Sequence, residues 1–330
     1  MRLTPILAVL FLLGSLVFTT ACKKDDDQPE GPATTAKFYR LDAFEVDVEP
    51  SNRLVKILFQ VKDYENNGIA GLTADDFDVY ENAGKIDLES DLRIAPDSIP
   101  YRLKTVLLLD LSRSVEGFVD QIKAASIALV NKKLSNQEVA IYTFDAQATL
   151  IQDFTTRSDK LIEAINNIPE TGLTNSTNLY GAIQSVSNLW TDIYTTSNIE
   201  DGSLVIFTDG RHNATPNITL NDAMNSLSGK KRYIAALSSG DLDEDALRTL
   251  AQSDNNYYQA EDVASIEQMF LSIQEEISSL SNSVYYMFYQ SPITDPTPFE
   301  NELRIEIFDN ANTGNDGQLI ETFNSAGFGQ

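Results

Sequence analysis

The run Val106-Leu107-Leu108-Leu109 leads without a break into Asp110-Leu111-Ser112-Arg113-Ser114. A continuous apolar run bounded by polar residues marks a strand buried on both faces, and such strands belong to parallel sheets. Behind it, Phe118, Val119, Ile122, Ile127, Val130 and Leu134 form an apolar stripe at helical spacing. Asp110, Ser112 and Ser114 therefore occupy a strand-to-helix turn at the carboxyl end of a central strand, the edge at which open α/β sheets bind ligands. In a tight turn, the alternate residues of D-x-S-x-S point into one small space and offer a carboxylate and two hydroxyl oxygens. Small hard cations such as Mg2+ take oxygen ligands and keep some waters. The competing reading has Ser112 and Ser114 capping the helix, with Asp110 a solvated strand end.

Two further segments carry the same chemistry. Ser176-Thr177-Asn178-Leu179-Tyr180-Gly181 places a hydroxyl at the start of another helix, and Ser203-Leu204-Val205-Ile206-Phe207-Thr208-Asp209-Gly210 is a second buried strand ending in an acid. Together the three segments resemble the metal-ion-dependent adhesion site of von Willebrand factor type A (vWA) domains, over roughly Tyr101 to Leu280. The resemblance implies an α/β fold: a doubly wound, mostly parallel, Rossmann-like sheet flanked by helices. It implies that Ser112, Ser114 and Thr177 touch a divalent cation, Mg2+ or else Mn2+ or Ca2+, while Asp110 and Asp209 hold it mainly through waters. It also implies a protein partner whose Asp or Glu completes the shell, with the nearby helix N-terminus adding favourable field.

The N-terminus has the form of a targeting segment. Arg2 precedes an apolar stretch, Leu3 to Phe18, that is too short for an easy membrane span. It ends at Thr19-Thr20-Ala21-Cys22, which resembles a bacterial lipoprotein signal with Cys22 as the lipidated residue, anchoring the chain to a membrane. Cys22 is the only cysteine, so no intrachain disulfide can form. Lys23-Lys24-Asp25-Asp26-Asp27 begins a solvated tether that Gln28 to Thr35 continues. The same run resembles surface-export signals of some Gram-negative lipoproteins. The expected location is the outer membrane, exposed at the cell surface, with a periplasm-facing orientation as the alternative.

The expected organisation is a signal peptide at 1–21, a tether at 22–36, a β module at 37–100, a vWA domain at 101–283 and C-terminal strands at 284–330 that complete the first module. Val55, Ile57, Phe59 and Val61 alternate with Lys56, Leu58, Gln60 and Lys62, as a half-buried strand does. Leu303 to Phe308 and Leu319 to Phe323 form a hairpin pattern. Two or three lone strands bury no core, so they must join the earlier module, a β-sandwich-like unit. Between the modules the expected elements are a strand at Val139–Phe144 and helices at Leu161–Ile168, Leu179–Tyr194, Leu220–Leu227, Asp245–Ala251 and Ser265–Leu280. Trp190 falls on the core stripe of its helix. Strand direction places Asp110 and Asp209 at one pole, and both β segments at the other.

Several functions are excluded. A net charge of −25 is incompatible with a nucleic-acid-binding face. Asp241, Asp243 and Asp245 have calcium-loop spacing, but Ala246 and Gln252 stand where such a loop needs Gly and Glu. They read instead as an acidic first helical turn. His212 is the only histidine and reads as an exposed loop residue. With no Gly-x-Ser-x-Gly and no second histidine, a Ser-His-Asp hydrolase is disfavoured. Asp97-Ser98-Ile99 resembles an acceptor for bacterial O-glycosylation. The resulting expectation is a non-enzymatic, metal-dependent adhesion module. The alternative is a structural envelope lipoprotein whose β modules make the contacts and whose metal only stabilises the loops.

Overall fold

The computed structural model describes residues 37–86, 93–94, 99–214, 218–238, 242–251 and 253–330, with backbone alone at 93, 94 and 263. The chain divides into Met1–Ala36 and Lys37–Gln330, and the described residues all belong to the second unit. The expected signal peptide, Cys22 and tether lie outside the described residues, as do Asp97, Ser98, Asp241 and Gln252.

The long apolar runs form the centre of a seven-stranded sheet. Its strands are β6 (Tyr101–Asp110), β7 (Gln137–Phe144), β8 (Ala148–Thr155), β9 (Ile193–Thr195), β10 (Asn198–Thr208), β11 (Lys231–Leu237) and β12 (Tyr257–Ala260). Their order is β12-β11-β10-β6-β7-β8, with β9 paired to β10. The pairs β12/β11, β11/β10, β10/β6 and β6/β7 are parallel, whereas β7/β8 and β10/β9 are antiparallel. The sheet is thus mostly parallel, as expected.

Among the described residues six helices cover it: α1 (Val119–Lys132), α2 (Ser158–Asn166), α3 (Leu179–Val186), α4 (Leu220–Ser226), α5 (Glu244–Ala251) and α6 (Ile266–Ser281). Leu107, Leu109, Val205 and Phe207 pack into one core with Ile122, Leu129, Phe270 and Ile273. Their neighbours Val106, Leu108, Leu204 and Ile206 pack into the other, with Ile183, Val186, Leu247 and Leu250. Alternate residues of one run therefore enter opposite cores, which is why the run has no polar gaps. Burying each such side chain is worth roughly 1.5–3 kcal/mol.

Two expectations need correction. Residues 179–194 are not one helix. Helix α3 ends at Val186, and Ile193–Thr195 turns back to pair with β10. The cause is the approach of Trp190 to Gly202: a methyl at Gly202 would lie 1.9 Å from Trp190 Cδ1. Asp192 Oδ1 also accepts the Gly202 N–H at 2.8 Å, fixing the turn. Trp190 is nevertheless core, 3 % exposed. The second correction is β8, which the sequence pattern does not announce. It is an edge strand with Leu150 exposed, and the register of its pairing with β7 shifts twice. Bulges and exposure erase the period-two signal.

The remaining strands are β1 (Arg40–Glu49), β2 (Leu54–Lys62), β3 (Phe77–Glu81), β4 (Gly84–Lys85), β5 (Arg93–Ile94), β13 (Val284–Gln290), β14 (Glu300–Ile307) and β15 (Gln318–Asn324). They build two four-stranded antiparallel sheets, β1-β2-β13-β5 and β15-β14-β3-β4. Each sheet mixes N- and C-terminal strands. Val55, Ile57, Phe59, Tyr285 and Met287 of one sheet meet Phe77, Val79, Leu303, Ile305 and Phe323 of the other in a common core. This β-sandwich packs on the α/β domain through Leu58, Val284 and Tyr286 against Ile199, with Tyr101 and Tyr194 alongside.

Tyr101 and Ile199 pair at the start of β6 and β10. Asp110 closes β6 nine residues on, about 30 Å away at strand rise. The β-sandwich therefore sits at the pole opposite Asp110. Further contacts hold it there: Gln60 Nε2 donates to Leu280 O and Ser283 Oγ, both at 3.0 Å. Tyr101 Oη donates to Ser281 O at 3.2 Å.

Candidate metal centre

In the loop after β6 neither serine caps a helix through its side chain. Residues Arg113–Phe118 form a 3-10 turn before α1, and Ser112 at its head makes no side-chain cap; α1 has no side-chain cap either. The capping reading is thereby set aside. Ser112 Oγ lies 3.0 Å from Ser114 Oγ, and Ser114 Oγ donates to Asp209 Oδ1 at 2.8 Å. Since the Ser114 proton goes to the carboxylate, Ser112 is the donor between the two hydroxyls. Asp110 Oδ1 accepts the Ser112 N–H at 2.8 Å, and Asp110 Oδ2 accepts Thr208 Oγ1–H at 2.7 Å.

Thr177 joins from a third loop. A methyl built on Gly210 would stand 4.0 Å from both Ser114 Oγ and Thr177 Oγ1, so these hydroxyls converge over Gly210. Thr177 is held by a reciprocal pair of bonds: its N–H donates to Asn213 Oδ1 at 2.7 Å, and its carbonyl accepts the Asn213 N–H at 3.1 Å. All five residues singled out in the sequence, Asp110, Ser112, Ser114, Thr177 and Asp209, thus lie at one pole. Asp110, Ser112, Thr177 and Asp209 are buried, whereas Ser114 is exposed, so the cluster opens to solvent on its side.

The electrostatics favour a cation. Asp110 is fully buried, and desolvation pushes its pKa up to about 6 against the opposing hydrogen bonds from Thr208 and Ser112; the Asp209 charge raises it further. Burial likewise raises the Asp209 pKa, opposed by the Ser114 hydroxyl. Among the described residues, no positively charged side chain contributes to the Asp110 shift. Two desolvated carboxylates facing three hydroxyl oxygens form an all-oxygen donor set, which fits Mg2+, Mn2+ or Ca2+. Among the described residues, no group of three or more carboxylate, imidazole or thiol side chains could hold a metal ion. A cation here would depend on the hydroxyls.

Several residues that support the site carry no signal in the sequence. Thr208 is one, through its bond to Asp110. Asp145 is another. Its Oδ2 accepts Thr174 Oγ1–H at 3.0 Å, and its carbonyl accepts the Asn178 N–H at 2.7 Å. The Arg113 N–H donates to Thr174 O at 2.7 Å, stitching the same loop to the D-x-S-x-S turn. His212 is not the exposed residue expected from sequence. It is half-buried, its ring stacked on Tyr180 with centroids 4.1 Å apart, and burial lowers its pKa. Asp243 accepts the Ala246 N–H at 3.3 Å at the head of α5, in keeping with a helix-start role.

Residues 105–212 match the family model for the von Willebrand factor type A domain. No curated protein matches the chain. Solved structures of similar shape include the vWF domain of the type V pili tip protein Mfa5 from Porphyromonas gingivalis. It is 14 % identical, with a TM-score of 0.46, over 55 % of this chain and 96 % of that one. A von Willebrand factor type A protein from Catenulispora acidiphila is 9 % identical, with a TM-score of 0.46, over 89 % of this chain and 75 % of its own. Proximal thread matrix protein 1 from the mussel byssus, with a zinc-occupied MIDAS (metal-ion-dependent adhesion site) motif, is 14 % identical, with a TM-score of 0.46, over 59 % and 49 %. The α/β domain thus has a vWA-like fold, and the antiparallel sheets from the N- and C-terminal regions add to it.

Proposed function

We propose that this protein is a divalent-cation-dependent protein-binding module of the bacterial envelope, without enzymatic activity. The reading rests on one observation: two buried carboxylates and three hydroxyls, drawn from three loops, converge at a pole that the β-sandwich leaves uncovered. Ser112, Ser114 and Thr177 would hold the ion directly, and Asp110 and Asp209 would balance its charge. Bound there, Mg2+ or Mn2+ supplies a Lewis-acidic position for an Asp or Glu carboxylate of a partner protein. The chain's own residues prepare that position. Thr208 fixes Asp110, Asn213 fixes Thr177, and Ser114 faces the open side.

The anchoring belongs to the same proposal. Lipidation at Cys22 would hold the protein to the outer membrane at the cell surface. The chain enters the described region at Lys37, within the β-sandwich, whose contacts lie at the pole away from Asp110. The cation site would then face away from the membrane. Among the described residues, no helix is long and apolar enough to cross a membrane.

Calorimetric titration of Mg2+ and Mn2+ into wild type, Asp110→Ala and Ser114→Ala tests the site. Wild type should bind and the variants should bind much more weakly or not at all. Equal affinity in all three would refute the assignment. Detergent partitioning of wild type and Cys22→Ser tests the anchor, and unchanged membrane association of the variant would exclude lipidation as its cause.

A further inference from the structure

We infer that the surface around this site is made for an acidic segment carrying two carboxylates, the second read by Arg113 and Arg211. The inference rests on the reading proposed above and names the chemistry of the partner. The loops at the carboxyl ends of the parallel strands, together with the one entering α3, include the described residues 111–118, 145–147, 167–178, 209–214, 218–219, 238, 242–243 and 261–265. They contain no lysine, and Arg113 and Arg211 are their only arginines. In a chain of net charge −25 these two cations stand beside the cluster itself: Arg113 between Ser112 and Ser114, Arg211 two residues past Asp209. The Ser114–Asp209 hydrogen bond at 2.8 Å ties their two loops together.

Both arginines are available. The Arg113 side chain is 64 % exposed, and its one ion pair among the described residues, to Glu116, is long at 4.0 Å. Glu116 is already engaged, since its Oε1 accepts the Gly172 N–H at 3.0 Å. Arg211 is exposed and makes no ion pair with another described residue. An arginine fork matches a carboxylate in two parallel bonds, which a lysine cannot do. Elsewhere on this pole the acids Asp243, Glu261 and Asp262 repel a negative partner, whereas Glu170 is paired with Lys123 Nζ at 2.5 Å, so an acidic segment is favoured where its second acid lies over the arginines.

The test uses two synthetic ten-residue Gly/Ser peptides: one with a single central Asp, the other with Asp-x-Asp. Binding to the folded protein is measured by fluorescence polarisation in Mg2+ and in EDTA, at low and high salt. The two-acid peptide should bind wild type about tenfold more tightly than the one-acid peptide, as two exposed charge pairs can supply. The double variant Arg113→Ala/Arg211→Ala should bring that ratio close to one, because it weakens the two-acid peptide more than the one-acid peptide. High salt should shrink the ratio in wild type. If the one-acid peptide binds in Mg2+ and is released by EDTA, yet the ratio in wild type is one or survives in the double variant, the arginine inference fails alone. If neither peptide shows EDTA-sensitive binding, the cation reading fails and the inference falls with it.

Discussion

The two poles of the α/β domain are built by different means. At the pole of Asp110, short loops bring polar side chains together by hydrogen bonds between hydroxyls, carboxylates and main chain. At the pole of Tyr101, contact is made by apolar packing and by segments far apart in sequence, such as Gln60 with Leu280 and Gly68 with Ser279. The first arrangement leaves charge poorly solvated and ready for a ligand. The second buries surface and holds two modules together. Substitutions at the Tyr101 pole should therefore cost stability and leave the cation response intact, while substitutions at the Asp110 pole should do the reverse.

The largest expected effect is Gly202→Ala. Its methyl would meet the buried Trp190 indole at 1.9–2.0 Å, so the indole or the strand must shift. The loss should be about 3 kcal/mol in urea unfolding, and the folded fraction should retain the Mg2+ affinity of wild type. A well-tolerated Gly202→Ala would mean that the Trp190 contact does not set the turn into β9.

Asp110→Asn probes the opposite pole by pH. The folded pKa of Asp110 is raised, from 3.8 to about 6. A raised carboxylate contributes stability that is complete below the ordinary pKa and lost as pH climbs through the folded value. Without cation, wild type should lose up to about 3 kcal/mol between pH 4 and pH 7 through this group. Asp110→Asn should lack that component and be the more stable protein at pH 7. Saturating Mg2+ should reverse the order, raising wild-type stability by about 2.7 kcal/mol at a hundredfold excess over Kd and leaving the variant unchanged. The rise should be smaller at pH 5, where protons compete for Asp110. Urea unfolding across this range, with and without Mg2+, checks each sign.

The same contrast explains what the sequence disclosed. Val106–Leu109 and Leu204–Phe207 announce buried strands because both faces are apolar, and the acid after each run marks the carboxyl edge of the sheet. Thr177 needed the family resemblance, because nothing local distinguishes it from a helix-starting hydroxyl. The strand β8 was hidden by register shifts, and β9 by a helical-looking stripe that Trp190 leaves for the turn at Gly202. The sandwich was inferable only from the argument that stray strands need partners. Its actual pairing of β2 with β13, over 200 residues apart, has no local signature.

Gln60→Leu sharpens the comparison at intermediate size. Gln60 is 5 % exposed and joins β2 to the end of α6 by two hydrogen bonds of 3.0 Å. Leu280 O keeps the Ser283 hydroxyl at 2.8 Å, so no acceptor is wholly orphaned. The expected loss is about 1–2 kcal/mol by thermal or urea unfolding, with unaltered Mg2+ titration. A weakened cation affinity here would show that the poles communicate through α6.

The smallest expected effect on stability, and the most selective, is that of Asp145→Ala. This half-buried carboxylate accepts Thr174 Oγ1–H at 3.0 Å and the Gln147 N–H at 3.3 Å, both at the surface. Its removal should cost under about 1 kcal/mol of folding stability. Yet Thr174 is also bonded through its carbonyl to the Arg113 N–H, and it lies three residues before Thr177. Slack at Thr174 is therefore felt on both sides of the proposed cation site. Groups that orient ligands without touching the ion are worth about tenfold or more in metal affinity, so calorimetry should show Mg2+ binding about tenfold weaker. Asp145→Asn keeps an oxygen for Thr174 and should recover most of the affinity, which a purely electrostatic role for the carboxylate would not allow. Should Asp145→Ala bind Mg2+ as wild type does, the Asn178 N–H bond to the Asp145 carbonyl, which any side chain preserves, would be enough to hold the Thr177 loop.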